Sequence, residues 1–271
     1  MKRSLLTVSG ILFILVCACT TNPFTGKKDF NIVSNDQIFP TAFAQYDQFL
    51  SENKVISGTS QAQMVTNVGQ KIKAAAEKYL NANGYQGYLD GYKWEYHLVQ
   101  NNEVNAWCMP GGKIVVYSGI LPVTKDEAGL ATVLGHEVAH ALVNHGAQRM
   151  SAETVAQLGA TGVAVATSGK TAQTQQLFQQ AYGLGAQYGA ILPFSRKHEN
   201  EADEIGLTLM AIAGYNPDKA LEFWQRMQAQ SSGSAPPEFM STHPSDATRI
   251  NNIKSEIPKA KAQAAKFGVK F

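Results

Sequence analysis

The chain has 271 residues, 44% hydrophobic and only 16% charged, with 23 Lys plus Arg against 21 Asp plus Glu. That composition excludes a disordered chain, and its length suits one domain with extensions. A net charge of +2 without clustered basic residues gives no footprint for nucleic acid, which is not expected as a partner.

Lys2 and Arg3 precede an apolar run from Leu5 to Val16 and then Cys17-Ala18-Cys19. As a helix that run would span roughly 18 Å, short of the about 30 Å of a hydrocarbon core, so it reads as a signal peptide. Val16-Cys17-Ala18-Cys19 resembles a bacterial lipobox. The resemblance implies cleavage after Ala18, a signal peptide over 1–18, and lipidation of Cys19 at the head of an anchor and tether over 19–40. Plain secretion is the alternative. No Asp follows Cys19, and by the sorting habit of Gram-negative lipoproteins this implies the outer membrane, facing the periplasm. Cys108 is then the one cysteine of the mature body, so no internal disulfide is expected.

In chain order, the spacing predicts a helix from Thr41 to about Ser51. A second follows over Gln61–Leu80, where Met64, Val68, Ile72, Ala75 and Tyr79 share a face. Three β-type runs come next: "KWEYHLVQ" (93–100), "EVNAWCM" (103–109) and "KIVVYSGIL" (113–121). The last two flank Pro110-Gly111-Gly112, which reads as a tight turn between paired strands. His97 falls on the polar side of its strand and is expected at the surface. Asp126 opens a long helix expected to run to about Met150. Residues 158–192 are rich in Gly, Ala, Thr and Gln, which fits either closely packed small-residue helices or a mobile flap. "SRKHENEADEIGLTLMAIAG" (195–214) is helical with Gly214 as its stop, and "NPDKALEFWQRMQAQ" (216–230) opens another helix at Pro217. A polar loop, "SSGSAPPEFMSTHPSD", leads to a last helix marked by Ile250, Ile253 and Ile257.

The chemistry is concentrated in "LGHEVAHALVNHG" (134–146). Residues four apart in a helix lie about 40° apart around its axis, so His136 and His140 share a face suited to one tetrahedral ion. Glu137, beside them, can take a proton from a water at the open position, which is the logic of H-E-x-x-H zinc hydrolases. A catalytic zinc needs a third protein ligand. His145 lies about 140° around the helix from His140 and faces away. Gly146 occupies the position where a metzincin would carry its third histidine. "HENEAD" (198–203) offers Glu199 and Asp203 on one face, with Glu201 about 200° from Glu199. His198 is expected at the surface or behind the ligands.

"HEVAH" (136–140) with "SRKHENEAD" (195–203), "NAWCMPGGKIVVYSGIL" (105–121) and "THPSDATRI" (242–250) resembles the M48 family of zinc metallopeptidases, in its lipoprotein, periplasm-facing branch. The resemblance implies an α+β fold: a mostly helical, zincin-type metallopeptidase domain over 41–258, with a small β-sheet next to the H-E-x-x-H helix and a C-terminal tail over 259–271. It implies one Zn2+ per chain on His136, His140 and Glu199, with Glu137 as general base. Asp203 would orient a zinc histidine, and His243 and Arg249 would reach the cleft. Both could stabilise the oxyanion, or His243 could take the fourth zinc position at rest and leave the enzyme latent. The strand at Asn105, Ala106 and Trp107 would bind an extended polypeptide by its edge. The expected activity is a zinc endopeptidase acting on unfolded or misassembled envelope proteins, with outer-membrane assembly machinery as a further partner. The alternative is a chaperone-like assembly lipoprotein whose zinc site is latent or regulatory.

Overall fold

A computed structural model describes residues 19–186, 192–230, 238–243 and 247–271; the expected signal peptide over 1–18 lies outside them. Within these residues the chain forms two compact units, one from 19–38 with Asn144–Lys197 and the other from Phe39–Val143 with His198–Phe271.

Strands β1 (Cys19–Thr21) and β2 (Lys28–Phe30) form an antiparallel pair within the stretch expected to be a tether. Buried Asn22 closes the turn between them by accepting the amides of Phe24 and Thr25. Helix α1 (Asn35–Glu52) starts six residues before the expected Thr41. After a short β3 (Val55–Ile56), α2 (Ser60–Ala82) is capped by Thr59, whose hydroxyl accepts the Ala62 amide.

Strands β4 (Glu95–Val99), β5 (Ala106–Met109) and β6 (Lys113–Tyr117) complete a four-stranded sheet with β3, in the order β3-β4-β6-β5. β4 pairs parallel with β6, while β5 pairs antiparallel with it through the Pro110-Gly111-Gly112 turn. Gly111 and Gly112 take φ of +84° and +86°, and a Cβ on Gly112 would meet the Trp94 ring at 2.6 Å, so a side chain there is excluded twice over. β6 is central and buried at every position. Tyr46 and Phe49 of α1 cover one face of the sheet, against Val99, Val115, Trp107 and Tyr117. The expected strand 113–121 ends at Tyr117; Ser118–Ile120 and Leu121–Thr124 are helical turns. His97 is not a free surface side chain: its Nδ1 lies 2.8 Å from the hydroxyl of buried Tyr46.

The expected single helix over 126–150 is two helices, α3 (Glu127–Leu142) and α4 (His145–Thr167). Between them Asn144 adopts a left-handed φ of 56°, a conformation Asn tolerates better than most residues. Two tyrosines explain the break. The Tyr88 hydroxyl donates to the Leu142 carbonyl at 2.7 Å and the Tyr92 hydroxyl to the Ala141 carbonyl at 3.2 Å, taking the acceptors that amides 145 and 146 would have used.

Within 158–192 the chain completes α4 and forms α5 (Ala172–Ala186); residues 187–191 lie outside the described ones. α4 and α5 pack as an antiparallel pair, with the Tyr182 ring against Gly159. Next come α6 (Leu192–Ile212), stopped at Gly214 with φ +90°, and α7 (Asp218–Gln230). A helical turn at Glu238–Thr242 precedes α8 (Ala247–Lys266). α8 runs beyond residue 258, the expected end of the domain, because Ala260 and Ala264 are buried.

Candidate active site

Asp126 caps α3 by accepting the Gly129 amide at 2.8 Å, and the helix then buries thirteen of its sixteen residues. A helix so enclosed must approach its neighbours closely, and Gly135 allows it. A Cβ on Gly135 would lie 2.7 Å from the Gly206 carbonyl oxygen, and one on Gly206 would lie 2.8 Å from the Gly135 carbonyl carbon. α3 and α6 therefore cross backbone to backbone, one residue from His136 and three from Asp203. Gly135→Ala gains about 1 kcal/mol of helix propensity but must push two backbones apart, at roughly 1–3 kcal/mol. The expected result is a lower melting temperature together with weaker metal retention; unchanged melting would show that the crossing tolerates a methyl group.

The crossing gathers side chains from three segments. His136 Nε2 lies 3.1 Å from His140 Nε2, 3.1 Å from His243 Nδ1 and 3.3 Å from Glu199 Oε2. Glu199 Oε1 lies 3.4 Å from His140 Nε2, and Glu199 Oε2 lies 3.0 Å from His243 Nδ1. Ligands held at 2.0–2.1 Å around a tetrahedral zinc sit about 3.3 Å from one another, so these separations fit a single ion among the four side chains. The donor set of three imidazoles and one carboxylate suits zinc. His243 reaches the cluster because its amide donates to the Phe239 carbonyl and the Phe239 amide to the Val104 carbonyl.

Behind the cluster, Asp203 Oδ1 meets His136 Nδ1 at 2.9 Å, the arrangement that fixes a ligating histidine's tautomer. Arg249 holds Asp203 with two hydrogen bonds of 2.8 Å, donates to the His243 carbonyl at 3.1 Å and lies 3.3 Å from Glu199 Oε2. Its guanidinium stacks over Trp224, 3.6 Å from the ring centroid. Arg249 is thus a buried clamp with its nitrogens engaged by the protein. His198 and Glu201 are buried as well, so neither is a surface side chain of α6.

Burial depresses His136, but its hydrogen bonds to Asp203 and Glu199 prevail and raise it to about 9. Burial also works against ionised Glu199, yet hydrogen bonds from His136, His140 and His243 hold it well below the usual carboxylate range. His243 is lowered to about 4, chiefly by burial. Glu137 is pushed up to about 7 by burial. Its Oε1 lies 3.3 Å from His243 Nε2 but outside hydrogen-bond geometry, a buried oxygen without a hydrogen-bond partner among the described residues. A carboxylate oxygen left so at the rim of a ligand cluster is suited to receive a proton.

At the sheet edge, the Tyr117 amide donates to the Asn105 carbonyl at 3.0 Å. Alternation then turns the amides of Ala106 and Cys108 away from β6. The Ala106 amide is met by Asn105 Oδ1 at 2.9 Å, and the Cys108 backbone favours the charged form of Glu137. The Trp107 ring packs edge-on against Phe49 and Tyr46, on the sheet face covered by α1. Cys108 is a free thiol, raised well above its ordinary value by burial and then by Glu137.

Sequence reasoning named every side chain of the cluster but missed Trp224, Phe239 and the Gly135–Gly206 pair. Only Gly135 left a trace, as a costly helix-interior glycine next to the motif.

The model of Peptidase family M48 matches residues 64–257, from α2 to α8. The mitochondrial metalloendopeptidase OMA1 of Schizosaccharomyces pombe is 36% identical over 89% of this chain and 67% of its own length. Its namesake in Saccharomyces cerevisiae is 34% identical over 72% of this chain and 56% of its own. The beta-barrel assembly-enhancing protease of Yersinia pestis is 32% identical over 62% of this chain and 35% of its own length. The chain thus spans between about a third and two thirds of these relatives. With His136, Glu137, His140 and Glu199 inside the matched span and assembled at one largely buried site, the chain belongs to peptidase family M48, a family of metallopeptidases.

Proposed function

We propose that this protein is a zinc endopeptidase that cuts unfolded or misassembled polypeptides of the cell envelope. The observation that carries this reading is the convergence of ligand atoms of His136, His140, Glu199 and His243 to within 4.8 Å of one another, beside Glu137 Oε1, which has no hydrogen-bond partner among the described residues. His136, His140 and Glu199 would hold the zinc, which when bound polarises a peptide carbonyl and lowers the pKa of water. Glu137 Oε1 accepts the proton of the attacking water and delivers it to the leaving amine. Asp203 orients His136 through Nδ1, and Arg249 acts through Asp203 and Glu199 as a positioning residue rather than as an oxyanion donor. An extended substrate pairs with the outer edge of β5 at Ala106, exchanging its own carbonyl for Asn105 Oδ1 at that amide. Recognition through backbone suits a chain without a fixed fold.

Envelope placement rests on residues 1–19, read as a signal peptide followed by acylated Cys19, and on the relative named for β-barrel assembly. On this reading the protein is an outer-membrane lipoprotein facing the periplasm, with assembly machinery as a partner. Relatives named for mitochondria share the family and carry no weight for location.

A second, regulatory reading is favoured by His243, whose Nδ1 stands inside the ligand cluster. In that position it occupies the room that water and substrate need, so the resting enzyme is latent. His243→Ala is expected to raise turnover of unfolded casein several-fold at an unchanged zinc content of one per chain. A fall in turnover would instead assign His243 to transition-state stabilisation.

A further inference from the structure

The unit built from 19–38 and Asn144–Lys197 carries an apolar surface that peptide hydrolysis does not use. From Thr154 to Ser195 the only charged side chain is Lys170. On α4, Val155, Leu158 and Val165 are 48%, 67% and 71% exposed; on α5, Leu177 and Phe178 are 60% and 54% exposed. None of this serves the packing of the two helices. The Tyr182 hydroxyl donates to the Ala156 carbonyl and Gln179 Nε2 to the Ala160 carbonyl, which fixes the inner line of the pair. Val155, Leu158 and Val165 fall within an arc of about 80° beside and behind that line. Because the helices run antiparallel, Phe178, one position before Gln179, faces the same side of the hairpin. Leu177 extends the surface outward.

Three observations bear on what covers this face. Cys19, which follows the apolar run Leu5–Val16, opens β1, which belongs to this same unit. Helix α4 is tied to the segment after β2 by the Ile32 amide, which donates to Ser151 Oγ at 3.1 Å. The one charge from Thr154 to Ser195 is positive, and Glu153 just before it is paired with Arg149, so no unpaired acidic group of the hairpin opposes an anionic lipid surface. No helix among the described residues is long and apolar enough to cross a membrane. A single lipid attachment binds membranes weakly, and stable anchoring takes a second signal.

We propose that the Val155–Leu158–Val165–Phe178 face of the α4–α5 hairpin lies in the interfacial layer of a lipid bilayer, as a second attachment beside Cys19. The inference rests on the reading of Cys19 as the anchor. The test places single tryptophans, Leu158→Trp or Phe178→Trp, in the full chain on vesicles of phosphatidylethanolamine and phosphatidylglycerol with brominated acyl chains. Emission is compared with the parent protein, whose own three tryptophans supply the background. The expected result is quenching of each introduced tryptophan by at least half. An unquenched signal overturns the proposal whether or not the protein binds the vesicles. So does a concentration-dependent dimer that buries the same tryptophans without lipid. The mass of the Cys19 peptide reads acylation separately: an unacylated cysteine with quenched tryptophans removes the anchor but keeps the docking face, and the converse removes the face alone.

Discussion

Glu137→Gln is expected to lower peptide cleavage by about 10²–10⁴-fold, the span that general-base catalysis supplies, while zinc content stays at one per chain. The substitution is nearly isosteric, and the contacts among His136, His140 and Glu199 do not pass through residue 137. Stability should hold or rise. The wild-type carboxyl is buried, is pushed up to about 7 by that burial, and keeps one oxygen without a hydrogen-bond partner among the described residues. Such a group costs stability in its charged form, so the amide relieves a conflict that the reaction requires. Turnover of unfolded casein, metal analysis and thermal melting together check this. Cleavage within a few-fold of wild type would reject Glu137 as the base, and loss of zinc would move it into the ligand set.

The motif helix was legible because its cause is local. An Asp cap, a 3.6-residue period and two histidines four apart are all written within the fifteen positions from Asp126 to His140. The β5–β6 hairpin was legible for the same reason, since consecutive glycines leave few other conformations. The break at Val143-Asn144 was not, because helical periodicity continues on both sides and neither residue is a glycine or proline. The acceptors that end α3 there are claimed by Tyr88 and Tyr92, 54 and 49 residues upstream of them. Gly135 and Gly206 likewise acquire meaning only when α3 meets α6. Trp224 reads in sequence as one more apolar residue of an amphipathic helix, yet it is the surface on which Arg249 lies. Glu199 and Asp203 were found by resemblance and by their shared helix face, and the structure sets both against the histidine helix.

Arg249→Leu is expected to cost about 3–5 kcal/mol of stability, the usual penalty for removing one partner of a buried ion pair, or roughly 10 °C in melting temperature for a domain of this size. Asp203 is buried and meets the arginine fork through both oxygens. Although burial works against its charge, the guanidinium holds it below the ordinary carboxylate range. Without Arg249 that carboxylate keeps only His136 among these partners, and the His243 carbonyl loses its donor. Lysine should not rescue the protein, because a point charge neither forks to both oxygens nor stacks on Trp224. Pairing Arg249→Leu with Asp203→Asn should recover part of the stability, since the stranded charge is then gone, but not zinc affinity. His136 would still have lost the carboxylate that orients it, a loss worth about 10–100-fold in metal binding at comparable sites. A double variant no more stable than Arg249→Leu alone would mean that the arginine acts through the Trp224 stack and not through Asp203. The separation of the two readouts, melting for the ion pair and zinc affinity for the histidine's orientation, is what distinguishes a clamp on the ligands from a residue that merely fills the core.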